Sequence, residues 1–116
     1  MDKLVEKIAS IGVPGLILLF VIGTNGLAGA AAITAGLAVI GPGGMVGGVI
    51  SLLVIGAATS LISNLGFEAA FTAVVNSLLS KGESKESIVA KIKKYPLSQS
   101  LKLKLIDKVN NAKVGN

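Results

Sequence analysis

Six polar side chains recur at four-residue intervals in the later part of a long apolar stretch: Ser60, Asn64, Glu68, Thr72, Asn76 and Ser80. Such a ladder runs along one side of a helix and drifts by about 40° per step, so it winds slowly around it. In lipid, a carboxylate and two carboxamides on this helix are costly unless they are paired or wetted. There they would line a water-filled path or meet across an oligomer axis. In water the same ladder is an ordinary solvated face, and Gly66-Phe67-Glu68 falls where a span begun at Met45 would end. Both readings stand at this level.

Other chemistry is closed off by residue type. The chain has no cysteine, no histidine and no arginine; all eleven basic residues are lysine. Thiolate chemistry, Cys/His metal sites, an imidazole switch and a bidentate guanidinium clamp are therefore absent. No serine or threonine has a histidine partner to activate it, and the six carboxylates are scattered. The run Gly41-Pro42-Gly43-Gly44-Met45-Val46-Gly47 has the glycines of a phosphate loop but lacks its Gly-Lys-Ser/Thr ending. No enzyme, cofactor or metal site is expected.

The elements that must position the ladder are set by an apolar block. Residues 8–67 carry no charge at all, and thirteen of these sixty residues are glycine. One helix needs about 20 residues to cross a bilayer, so the block has room for two crossings or three. With one Tyr, three Phe and no Trp, the chain lacks an aromatic belt, and interfacial anchoring falls to lysine.

Residues 1–10 form an amphipathic lead-in, with Leu4, Val5, Ile8 and Ile11 at helical spacing. Pro14 and Gly15 are expected to bend the chain, and residues 16–22 are its most lipophilic stretch. A cleaved signal peptide is the competing interpretation, with Ala28-Gly29-Ala30 as its cleavage site. The neutral N-terminal region and the continuing apolar run favour retention. Gly23-Thr24-Asn25-Gly26 signals a kink, and Gly41-Pro42-Gly43-Gly44 is the clearest turn. Residues 11–80 are thus a glycine-rich transmembrane region turning at 41–44. It has a kinked first crossing over 11–40, a second over 45–65 and an amphipathic exit over 67–80.

Small residues suggest how the crossings pack. Gly26, Ala30, Thr34 and Ala38 recur every four residues, as do Gly43, Gly47 and Ser51, and Gly44 with Gly48. Lipid gives little hydrophobic force between helices, so association depends on the close approach that small side chains permit. Such spacings also arise by chance in glycine-rich sequence.

Charge is segregated to the C-terminal end. Residues 81–116 carry nine lysines against Glu83, Glu86 and Asp107, a net +6, within a chain of +5 overall. Ser84 is a candidate helix cap with Glu86 in the first turn, and Pro96 separates two helices. Residues 84–112 therefore form a basic helical hairpin with Ile88, Ile92 and Tyr95 on one stripe and Leu101, Leu105 and Val109 on the other. Lys85, Lys91, Lys93, Lys94, Lys102, Lys104 and Lys108 would suit anionic headgroups, or equally a solvated mini-domain. Nucleic acid is disfavoured without arginine or an aromatic platform. The positive-inside rule puts the tail in the cytoplasm.

The segment Gly29-Ala30-Ala31-Ala32-Ile33-Thr34-Ala35-Gly36-Leu37-Ala38-Val39-Ile40-Gly41-Pro42-Gly43-Gly44-Met45-Val46-Gly47-Gly48 resembles the glycine/alanine-rich core of the interferon-alpha-inducible small hydrophobic protein family and its microbial relatives. The resemblance covers residues 23–60 at most. It implies a helical membrane protein linked to cell death or membrane permeability, and carries no functional residue over.

The expectation is an all-α protein: a two-crossing membrane hairpin, multi-pass with a cytoplasmic C-terminus, followed by the basic hairpin. The leading function is a small self-associating membrane protein that permeabilises or remodels a membrane, as a toxin, holin-like protein or defence effector does. The alternative is a membrane-anchored adaptor or immunity-type protein that binds a partner through 84–112. A third reading is a soluble helical unit that hides its apolar faces, alone or before insertion.

Overall fold

The computed structural model describes residues 2–24, 47–95 and 97–113, with the side chains of Asp2 and of 47–53 outside that description. Among the described residues the protein is all-helical, with no strand. The helices are α1 (Asp2–Ala9), α2 (Val13–Thr24), α3 (Gly47–Leu65), α4 (Phe67–Ser80), α5 (Lys85–Lys94) and α6 (Gln99–Asn111). The expected turn at 41–44 lies outside the described residues.

The first helix break is earlier than Pro14–Gly15. Ser10 and Ile11 still bond back to Glu6 and Ile8, and Gly12 then takes φ +90°, a conformation that side chains rarely tolerate. Pro14 sits inside the first turn of α2, where its fixed φ suits a helix and its missing N–H has no helical partner to lose. Gly12 thus makes an elbow, and α1 folds back from α2 at 114°. Gly15 serves the close approach instead. A Cβ there would lie 2.3 Å from the Ile8 carbonyl oxygen.

The boundary expected between 45–65 and 67–80 is present, but as a break at one residue where helical continuation is expected. Gly66 adopts φ +87°, yet its N–H still reaches Ile62 at 2.8 Å and its carbonyl accepts from Ala70 at 3.0 Å. The chain changes direction there while its backbone polar groups stay paired. At the far end of α4, Gly82 at φ +106° lets Gly82 N–H reach Leu79 and Glu83 N–H reach Leu78. This paired closure with a C′ glycine is a common way to end a helix.

α1, α3 and α4 pack on one another, and α5 packs on α6. Residues 16–21 of α2 are all buried, six in succession. A helix apolar on every side suits a protein interior or lipid, and α1 and α4, which touch it here, are amphipathic. α1 turns Ile8 and Ala9 inward while Lys3, Glu6 and Lys7 stay outside; α4 buries Phe71, Val74, Val75 and Leu78. Among the described residues only Leu65 and Leu103 are exposed large hydrophobics.

Among the described residues, no single helix is long and apolar enough to cross a membrane. The second crossing expected over 45–65 corresponds to α3, which ends against the Gly66 break. One bent pair, Lys3–Ala9 with Val13–Thr24, meets the length and composition requirement jointly. Gly12 and Gly66 each divide an apolar run that reads as continuous in one dimension.

Candidate functional site: a sheathed apolar helix and its fastenings

The centre of the molecule is α2, and contacts to α1 and α4 hold it. Toward α4, Phe20 meets Phe67 and Phe71 with all three ring centroids 6.0 Å apart in tilted or edge-on pairs. Each such pair adds about 0.5–1.5 kcal/mol beyond the burial of area. Gly23 gives Phe67 its seat: a Cβ at that position would stand 2.2 Å from Phe67 Cδ1. Toward α1, the Gly15 notch receives the Ile8 backbone.

Polar fastenings close the outside. The Glu6 carboxylate on α1 accepts from Ser77 Oγ at 3.1 Å and from Lys81 Nζ at 2.9 Å, tying the lead-in helix to the end of α4. The hydrogen bond from Lys81, with that from Ser77 and the Lys81 charge, holds the Glu6 carboxyl below its ordinary pKa. On the opposite side, Lys108 of α6 pairs with Glu68 and places its ammonium 5.1 Å from the Phe67 centroid and 5.9 Å from that of Phe71. One lysine therefore attaches the basic hairpin to the aromatic cluster below it.

Between α4 and α6 lies a cleft of about 660 Å³ with Phe71 in its wall. Three residues of the polar ladder, Glu68, Thr72 and Asn76, face it together with Lys108, Asn111 and Lys113. The ladder is not one continuous seam, because Gly66 divides it. Ser60 and Asn64 belong to α3, are exposed, and bond to each other through Asn64 Nδ2 and the Ser60 carbonyl at 2.7 Å. Ser80 is exposed and turns its hydroxyl onto the Ser77 carbonyl at 2.8 Å. With Glu68 side-chain exposure at 78%, its carboxylate is a surface group that Lys108 reaches across the cleft mouth.

The small-residue positions Gly26, Ala30, Thr34, Ala38, Gly43 and Gly44 lie outside the described residues. Gly47, Gly48 and Ser51 are in the first turns of α3, with no side-chain surroundings described.

The seven lysines of the basic hairpin divide into two groups. Lys85 donates to the Asn110 and Ala112 carbonyls at 3.1 and 2.9 Å, capping the end of α6, and Lys102 donates to the Lys93 carbonyl at 2.8 Å. These three bonds fix α5 and α6 as antiparallel neighbours. Lys91 pairs with Glu83 and Lys108 with Glu68. The Lys91 hydrogen bond, then that of Ser87, holds Glu83 below its ordinary pKa. Lys93, Lys94 and Lys104 are exposed. Sequence alone gave no sign of this division, since a lysine that caps a partner helix looks like one facing solvent.

The hairpin's local signals are visible in the structure. Ser84 Oγ accepts from Ser87 N–H at 3.0 Å, and Ser87 Oγ accepts in turn from Ser84 N–H at 2.9 Å, a reciprocal cap. Ser98 caps α6 through Leu101 N–H at 3.2 Å. Ile88, Ile92, Leu105 and Val109 are fully buried, and burial pushes the half-buried Tyr95 phenol up against the lowering field of Lys91. No group of potential metal-binding side chains occurs among the described residues. In comparisons with protein-family models, curated proteins and solved structures, nothing matches this chain.

Proposed function

We propose that this is a small membrane-active protein whose compact form stores an apolar helix and releases it into a bilayer, where copies associate and permeabilise or remodel the membrane. The observation that carries the reading is α2, whose residues 16–21 are apolar and buried in succession, all the way round the helix. A helix of that kind suits either a protein interior or lipid. Its neighbour α1 continues it: Lys3–Ala9 and Val13–Thr24 together meet the requirement for one span, with only the Gly12 elbow between them. Straightened, residues 3–24 would reach about 33 Å at 1.5 Å per residue, against a hydrocarbon core of about 30 Å. The small-residue spacing at Gly47, Gly48 and Ser51 supplies a surface for association once helices meet in lipid. The multi-pass topology with a cytoplasmic basic tail belongs to this inserted state.

The test is dye release from liposomes containing anionic lipid. Leakage that rises with protein density, and falls for Gly47→Leu or Gly48→Leu, supports the reading. Vesicles that stay intact at high protein density overturn it.

A further inference from the structure

We infer that the inter-helix end of the basic hairpin is a docking tip for an anionic bilayer surface, built from Lys93, Lys94 and Lys104 around Leu103. This deepens the proposed function by assigning the first contact to one end of one hairpin.

The inference starts from how the lysines are used. Lys85, Lys91, Lys102 and Lys108 are committed to carbonyls or carboxylates of this chain, which leaves Lys93, Lys94 and Lys104 exposed. The exposed three are gathered at one end. Lys93 and Lys94 close α5, while the Lys102–Lys93 bond brings the first turns of α6, with Leu103 and Lys104, beside them. No carboxylate occurs from residue 87 to residue 106, although five lysines do. The opposite end is mixed, with Glu83, Glu86 and Asp107 among its lysines. The hairpin is thus cationic at one tip rather than along its length.

The second observation is apolar. Leu103 is 57% exposed, in a chain whose described residues leave only one other large hydrophobic outside. It stands between two lysines and has no place in the stripe formed by Leu101, Leu105 and Val109. A protruding leucine in a cationic field fits the headgroup boundary: the ammonium groups meet phosphates while the side chain enters the acyl region. A nucleic-acid duplex would use the charge but has no use for the leucine.

The experiment is co-sedimentation of the full-length protein with vesicles of phosphatidylcholine alone or with added phosphatidylglycerol. Binding is expected only to the anionic vesicles. Each surface lysine contributes roughly a fivefold change in partitioning, so K93Q/K94Q/K104Q should lose about a hundredfold. Leu103→Ser should lose about tenfold while keeping the same salt dependence. A K3Q/K7Q/K113Q variant removes equal charge elsewhere and should bind within a few-fold of the parent. Circular dichroism confirms that each variant is folded. Equal losses for both triple variants would overturn the tip, since binding would then follow net charge. So would unchanged binding of Leu103→Ser, or tip-dependent binding to duplex DNA with none to vesicles. Dye release from the same vesicles is read separately: docked but intact vesicles refute permeabilisation and uphold the tip.

Discussion

Replacing Gly15 by alanine should destabilise the protein, although the same change inside an α-helix ordinarily stabilises it. In a helix interior, alanine is favoured over glycine by about 1 kcal/mol. At Gly15 the new Cβ would sit 2.3 Å from the Ile8 carbonyl oxygen, 3.1 Å from Ile8 Cγ2 and 3.2 Å from the Ile8 carbonyl carbon. Non-bonded heavy atoms settle near 3.5 Å, so α1 would have to retreat by about 1 Å. The obstructing atom is backbone, which no rotamer change can move, and the elbow is only Ser10, Ile11 and Gly12. Overpacking of this kind costs about 1–3 kcal/mol, and a backbone clash belongs in the upper part of that range. Subtracting the helical gain leaves a net loss of about 2 kcal/mol. Gly56→Ala is the control: Gly56 lies inside α3, and a Cβ there meets nothing within 4 Å. It should gain about 0.5–1 kcal/mol. In a urea titration followed at 222 nm, the Gly15→Ala midpoint should fall by about 1 M and the Gly56→Ala midpoint should rise. If both midpoints rise, the packing of α1 on α2 described above is wrong. The clash exists only in the folded-back state. Gly15→Ala should therefore also speed dye release, because it favours the straightened 3–24 span.

Three further outcomes follow from named contacts. Phe71→Ala, the most buried ring of the cluster at 1% exposed, should cost about 3–5 kcal/mol in the same titration; a loss under 1 kcal/mol would refute the cluster as a core. Ser84→Ala removes the cap of α5 and should cost about 1 kcal/mol, whereas Ser84→Asp should largely restore it. Glu6 and Glu83 are both held below the ordinary glutamate pKa, Glu6 by Lys81 and Ser77, and Glu83 by Lys91 and Ser87. Their contribution is complete above the unfolded value of about 4.3 and disappears as the pH falls through the lower folded values. Stability should therefore drop with acidification below about pH 4.5, with a shallower slope in Glu6→Gln. An unchanged slope in that variant would remove Glu6 from the account.

Much of the local structure was legible. The apolar face of α4, with Phe71, Val74, Val75 and Leu78, and the hairpin stripe of Ile88, Ile92, Leu105 and Val109 follow from helical periodicity, which depends only on residues three and four apart. The Ser84 cap follows from residue type and position. Glycine was read less well. In an apolar run it fits a helix, a break or a close approach equally, and the sequence marks do not distinguish them. Pro14–Gly15 has the look of a bend, yet Gly12 carries the positive φ and Gly15 is a contact notch. Gly66 marks the end of an apolar span in the sequence without marking a turn, yet its positive φ redirects the chain and divides the polar ladder between α3 and α4.

From residue order alone come the helical character, the lack of any imidazole or thiol, the apolar block and the basic end. These depend on composition and on spacings within a turn or two. The tertiary structure decided which surface each residue serves. It wrapped α2 on every side and bent α1 back across it. It also spent four of seven hairpin lysines on carbonyls and carboxylates of the same chain, leaving three exposed at one tip. Those outcomes depend on contacts between residues far apart in the chain, such as Glu6 with Ser77 at a separation of 71, which no local periodicity encodes.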